Sequence, residues 1–306
     1  MNRRQAMIAA GAGASALLAT GARAAGPADL SAESEEYIVG PDGTRLFVRD
    51  WGAGRPVLFL AGWTLPSDFW CYQMLALAQN RLRAIAFDRR GHGRSSDPGQ
   101  GYDHDMLADD LRAVINGLRL REVIIVAHSM GCTEVARYFS RHGGREIAKV
   151  VLVGTITPFL MQTPDNPGGI DRQLLAEMRA PIGRDFPAWI DANTAPFFTA
   201  GTSPGMMEWG KRLMLETSLL AAAELARANA ETDFREDLRQ IDVQALIIHG
   251  DRDISAPLAL TAEPTARIIS GAELRIYEGA PHGLPLTHIE RLNEDLLSFA
   301  GSPRRQ

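Results

Sequence analysis

Apolar and polar positions along this chain fall into two regimes. On either side of Pro41-Asp42-Gly43, residues 36–39 and 45–51 alternate apolar with polar, which predicts an opening β-hairpin with one face buried. From Val57 onward, short unbroken apolar runs alternate with amphipathic stretches. The runs at 57–60, 83–87, 123–127 and 149–153 are predicted strands, and helices are predicted over 69–79, 106–118 and 133–142. Apolar strands joined by helical crossovers imply a parallel sheet covered on both faces. After Gly154 the pattern breaks for about 90 residues, far more than an ordinary connection, so a structured insertion is expected there. It carries helical patterns at 170–178 and 207–230 and the aromatics Phe159, Phe186, Trp189, Phe197 and Phe198. Strands resume at 245–249 and 273–277, and a helix over 289–300 closes the chain. The expected fold is a mostly parallel, eight-stranded α/β sheet with helices on both faces. Its core spans 36–154 and 236–301, and an α-helical cap spans 155–235.

The first residues do not fit this alternation. Arg3-Arg4 precede a weakly apolar, Ala/Gly-rich stretch at 6–19, and Ala22-Arg23-Ala24 offers a small-x-small cleavage site. This resembles a twin-arginine export signal over residues 1–24, followed by a polar linker at 25–35. The apolar part is too short to favour a membrane span, so a soluble periplasmic or secreted protein with no membrane contact in its mature form is expected. Removing Arg3, Arg4 and Arg23, with no acid lost, takes the formal charge from −5 to −8. An acidic globule without basic blocks argues against a nucleic-acid partner. A homo-oligomer stays open. Cys71 and Cys132 are the only cysteines, and nothing places them within bonding distance, so two buried free thiols are expected.

The chemistry centres on the strand at 123–127. It runs into Ala127-His128-Ser129-Met130-Gly131 and then into a helix, a strand–turn–helix built around one serine. Such a turn strains the central residue and requires small neighbours two positions away. It also lifts the serine hydroxyl clear of the sheet at a helix N-terminus. Gly is usual at the first small position, where this chain has Ala127. Beyond the insertion, the strand at 245–249 ends in Gly250-Asp251-Arg252-Asp253, and the next strand ends in Gly279-Ala280-Pro281-His282-Gly283. Ser, Asp, His is the chain order of an α/β-hydrolase triad. The hydroxyl needs an imidazole to take its proton, and the imidazole needs a carboxylate to fix its tautomer. Asp251 and Asp253 both compete for the acid role.

These segments, with Phe87-Asp88-Arg89-Arg90-Gly91-His92-Gly93-Arg94-Ser95 and His249 to Pro257, resemble α/β-hydrolases. More narrowly they are similar to the bacterial cofactor-free haloperoxidase, perhydrolase and arylesterase group. Thr232-Asp233-Phe234-Arg235 with Asp237-Leu238, and Thr287-His288, Leu292-Asn293 and Asp295-Leu296-Leu297, add to that likeness. The resemblance implies a serine hydrolase of small or aryl carboxylic esters that works through an acyl-enzyme, with no metal, flavin or haem. It assigns the acid to Asp253 and leaves Asp251 as a turn residue. It also implies that the backbone N–H of Trp63 joins that of Met130 in an oxyanion hole. Ala61 stands where His often precedes the Gly of that loop. Members noted for peracid formation often carry Pro directly after the loop's aromatic residue. Here Thr64 follows Trp63, and Pro66 comes two places later, which implies a different loop backbone and weaker perhydrolysis. A carbon–carbon hydrolase, lyase or acyltransferase would use the same triad. A ligand-binding protein without turnover would be expected to have lost a triad member, and none is lost.

The other polar residues read as structural. His92, His128 and His249 are expected in packing roles, and Asp88, Arg89, Arg90 and Arg94 in buried hydrogen-bonded packing. Asp103-His104-Asp105 opens a helix, where adjacent side chains diverge and acids cap the N-terminus, so no metal site is expected. Trp63, Phe159, Trp189 and Phe198 are the candidate walls of the substrate pocket.

Overall fold

The computed structural model describes residues 36–301. The expected leader and linker lie outside the described residues. Among the described residues there are eight strands: β1 (Tyr37–Val39), β2 (Arg45–Trp51), β3 (Arg55–Leu60), β4 (Leu82–Phe87), β5 (Val123–His128), β6 (Ile147–Val153), β7 (Gln244–Gly250) and β8 (Glu273–Tyr277). They form one sheet in the order β1-β2-β4-β3-β5-β6-β7-β8. The β1–β2 and β2–β4 pairs are antiparallel and every other pair is parallel.

The strands sort their side chains by parity, as pleating requires. Val57, Phe59, Ile124, Val126, Val151 and Val153 face α1 (Cys71–Gln79), through Met74 and Leu77, and the closing helix, through Leu292, Leu296 and Phe299. Leu58, Leu60, Ile125, Ala127, Val150 and Leu152 face the opposite layer. That layer is built on α2 (His104–Gly117) and α3 (Met130–His142) through Leu111, Val114, Val135 and Phe139. Each fully buried Leu, Val or Phe is worth about 1.5–3 kcal/mol relative to exposure. These two faces therefore hold the strands in register far more firmly than their short lengths would.

The insertion carries α4 (Arg172–Arg179), α5 (Phe186–Thr194), α6 (Pro204–Met214) and α7 (Leu219–Glu231). The expected continuous helical stretch at 207–230 is two helices, broken around Glu216-Thr217-Ser218. The break is tertiary in origin. The Gly93 amide donates to the Glu216 carbonyl at 2.9 Å, and the Ser218 amide donates to the Gly91 carbonyl at 2.8 Å, so the cap pairs its backbone with the loop after β4. The chain returns to the core with α8 (Arg235–Arg239). There Phe234 is buried under Arg137, and Asp237 pairs with Arg137 of α3 at 3.1 Å. The Thr232–Leu238 signature is thus a clamp between insertion and core. Helices α9 (Ala262–Ile268), α10 (Leu284–Thr287) and α11 (Ile289–Gly301) complete the fold. No helix among the described residues is long and apolar enough to cross a membrane.

Candidate active site

From β3 the chain moves outward to β4 and then returns to β5 on the other side of β3. In an open α/β sheet that reversal leaves a crevice beyond the carboxyl ends of the strands. The loop after β3 and the turn after β5 flank it.

Ser129 occupies that turn with φ 52° and ψ −116°, a left-handed conformation that L-residues avoid. The small neighbour Gly131 has a steric cause. A β-carbon there would sit 2.7 Å from the Leu60 carbonyl oxygen and 3.0 Å from that of Ala61. Gly62 is pinched in the same way, its would-be β-carbon 2.7 Å from His128 Nδ1 and 3.2 Å from Ser129 Cβ. These two glycines let the β3 loop and the head of α3 close on the serine.

The Ser129 hydroxyl donates to His282 Nε2 at 2.9 Å, and His282 Nδ1–H donates to Asp253 Oδ2 at 2.6 Å. All three residues are buried. Asp253 Oδ1 accepts the Ala256 amide at 2.8 Å. Burial pushes the Asp253 carboxyl up, but His282, His249 and the Ala256 amide together outweigh it and hold the group below the ordinary carboxylate range. Asp251 is exposed and accepts the Gly279 amide at 2.7 Å, latching the turn after β7 to the one after β8.

Two of the histidines expected to be structural support this chain directly. His128 is fully buried, and its Nε2–H donates to the His282 carbonyl at 2.9 Å. Its ring packs against Phe69, Phe197 and His282. Burial, with the neighbouring His282 second, pushes its pKa down to about 3, so it stays neutral. His249 Nε2 lies 2.7 Å from the Ala256 carbonyl and 3.4 Å from Asp253 Oδ2, which steadies the acid loop. Adjacency to the serine was the sequence signal for His128. The His92 ring, in contrast, closes its own turn, with Nδ1 2.9 Å from the Arg90 carbonyl.

The loop at 61–65 is a β-turn in which the Leu65 amide donates to the Gly62 carbonyl at 3.3 Å. Thr64 sits at its third position with φ 63°, which proline cannot adopt. The Thr64 carbonyl accepts the Thr217 hydroxyl from the cap break at 3.0 Å. The amides of Trp63 and Met130 have no acceptor among the described residues.

The expected walls divide. Trp63 donates its indole N–H to the Ala222 carbonyl of α7 at 2.9 Å and meets Trp189 edge-on at 5.1 Å. Phe198 packs behind Phe197 and against Gly210. Phe159 is not in this group. It packs with Met161, Leu175 and Ala230 in a separate cluster beneath Arg235. Sequence reasoning passed over Phe197, whose ring lies 5.8 Å from that of His282 and whose carbonyl accepts the Gly283 amide at 3.0 Å. An aperiodic segment gave no signal for it.

The basic loop after β4 also divides. Arg90 is fully buried, bidentate to Asp110 at 2.6 and 2.8 Å and paired with Asp42. Arg94, expected to be buried, is exposed and lies over the Phe47 ring at 3.8 Å. Asp103 caps α2 through the Met106 amide at 2.9 Å, while Asp105 pairs with Arg137. Cys71 is half-buried, Cys132 is buried, and the two are not bonded.

A model of the alpha/beta hydrolase fold matches residues 55–289. The chain belongs to the α/β-hydrolase family. This hydrolase is 42% identical to a non-heme haloperoxidase of Rhodococcus erythropolis, over 87% of this chain and 99% of that one. It is 34% identical, with the same coverage, to a bifunctional esterase/perhydrolase of Acinetobacter calcoaceticus. An esterase from Exiguobacterium antarcticum superposes on it with a TM-score of 0.84 at 30% identity, covering 87% of this chain and 99% of that one.

Proposed function

We propose that this hydrolase cleaves carboxylic esters of small or aryl substrates through an acyl-enzyme. The observation that carries the reading is the hydrogen-bond chain from Ser129 through His282 to Asp253, with the serine raised on a strained turn. Ser129 Oγ attacks the ester carbonyl as His282 Nε2 takes its proton. The Trp63 and Met130 amides hold the oxyanion, aided by the N-terminal dipole of α3. His282 then protonates the leaving alcohol, and in the second half it activates water to release the acid. Trp63, Trp189, Phe197 and Phe198 supply an apolar surround suited to an acyl or aryl group.

The test is labelling by a fluorophosphonate together with turnover of 4-nitrophenyl acetate. Both are expected in the native chain and lost in Ser129→Ala, with kcat down by about 10⁴ or more. Full hydrolysis by that variant would refute the mechanism. The related haloperoxidase and perhydrolase support a second reading, capture of the acyl-enzyme by hydrogen peroxide in place of water to give a peracid. The left-handed Thr64 favours hydrolysis over it, and acetate plus peroxide measured beside the ester compares the two.

Arg3-Arg4, the weakly apolar stretch after them and Ala22-Arg23-Ala24 support export of the folded enzyme to the periplasm or beyond. Fractionation of cells carrying the full chain should find it outside the cytoplasm and find the Arg3→Lys, Arg4→Lys double variant retained. Equal export of both would argue against this route.

A further inference from the structure

Arg89 is buried, and its guanidinium reaches two elements at once. Nη2 donates to the Ala61 carbonyl at 2.7 Å, Nη1 to the Gly62 carbonyl at 3.2 Å, and Nε to Glu134 Oε1 at 2.7 Å. The first two acceptors belong to the loop after β3 and the third to α3, the helix that starts at Met130. The Gly62–Trp63 peptide is trans, so its carbonyl and amide point in opposite directions. A charged donor on the Gly62 oxygen therefore fixes the plane of the peptide that carries the Trp63 N–H, and polarises it. Glu134 lies one turn along the helix from Met130. The guanidinium thus spans the two separate sources of the proposed oxyanion donors.

We infer that Arg89, held by Glu134, is a positioning residue that sets the orientation and spacing of the Trp63 and Met130 amides. The inference rests on the hydrolytic reading above. Stability alone gives a poor reason for the pair. Glu134 Oε2 has no hydrogen-bond partner among the described residues, and burial pushes the Glu134 carboxyl up to about 7 against the pull of Arg89. Apolar residues often replace such buried pairs without loss. What they cannot replace is a planar fork that serves three acceptors, and lysine cannot replace it either.

The test compares Arg89→Lys, Glu134→Gln and Ser129→Ala in the full chain, using 4-nitrophenyl acetate as substrate and phenylboronic acid as a mimic of the tetrahedral state. Arg89→Lys should lower kcat by about 100-fold, the scale of one oxyanion donor, with KM within about threefold and boronate affinity falling by a comparable factor. Glu134→Gln, nearly isosteric, should lower kcat by about tenfold in the same way. It decides the matter if Arg89→Lys fails to fold. Unchanged kcat and boronate affinity in a folded variant, or a loss confined to KM, would overturn the inference. Ser129→Ala separates the two levels. If it stays active, the hydrolytic reading fails, whereas an inactive Ser129→Ala beside unimpaired Arg89 and Glu134 variants sinks the positioning role alone.

Discussion

Ser129 and Thr64 both hold left-handed backbone, at φ 52° and φ 63°, and both belong to the turns that meet over the crevice. A left-handed L-residue costs about 1–2 kcal/mol, so each persists only because its neighbours over-determine it. For Ser129 the sequence announced the strain through Ala127 and Gly131. For Thr64 it announced only a departure from the proline that the resemblance implies for peracid-forming members, without giving the direction of the backbone. The structure gives the direction, and a prediction follows at this scale. Thr64→Pro must flip the turn, because the ring fixes φ near about −65°. It should lower kcat at least tenfold and reduce the thermal midpoint, whereas Thr64→Gly, which accepts φ 63°, should keep both. A fully active Thr64→Pro enzyme would mean that the turn is not held as described. His128 makes a related point. From the sequence it was one variable residue beside the serine, and its value comes from a carbonyl 154 positions away.

At the scale of elements, the strands were legible because β-branched and other apolar runs admit few alternatives when both faces are buried. The four central predictions lie within about two residues of β3 to β6. The cap was less legible. Nothing between Met207 and Ala230 interrupts a helical pattern, as that stretch contains no proline and its one glycine, Gly210, lies within α6. The break at Glu216-Thr217-Ser218 comes from the loop after β4, whose glycine backbones pair with it, and from the Thr64 carbonyl, which takes the Thr217 hydroxyl. Local propensity cannot encode a partner that distant. Phe159 and Phe197 were misjudged for the same reason. Both are aromatic residues in aperiodic chain, and only the path of the insertion decides which one meets His282.

At the scale of the whole molecule, several histidines are buried in neutral form. Burial pushes His92, His104 and His128 from 6.5 down to about 3, and it lowers His249 as well. The unfolded chain takes up protons below pH 6.5 that the folded chain refuses. Their share of stability is therefore whole above pH 6.5 and is lost as the pH falls toward about 3. Each can contribute up to about 1.4 kcal/mol per pH unit in that window. Glu134, raised to about 7 by burial, works in the opposite sense and offsets one histidine. The urea midpoint should thus drop steeply between pH 6.5 and 5, and His92→Asn should make the drop shallower. Identical slopes in the two proteins would exclude His92 from the effect.

Residue types and their order were determined by the sequence alone: strands dense enough to bury on both faces, small residues around Ser129, and an acid and a histidine at successive strand ends. Tertiary structure decided which acid meets the histidine, since Asp253 and Asp251 share one loop but Asp253 is buried against His282 while Asp251 is exposed and takes the Gly279 amide. It also brought His128 and Phe197 against His282, and Arg89 against the loop after β3. Short-range patterns record how a segment buries its own faces. A hydrogen bond across the crevice depends on where two distant strand ends are brought together, and that is set only when the sheet closes.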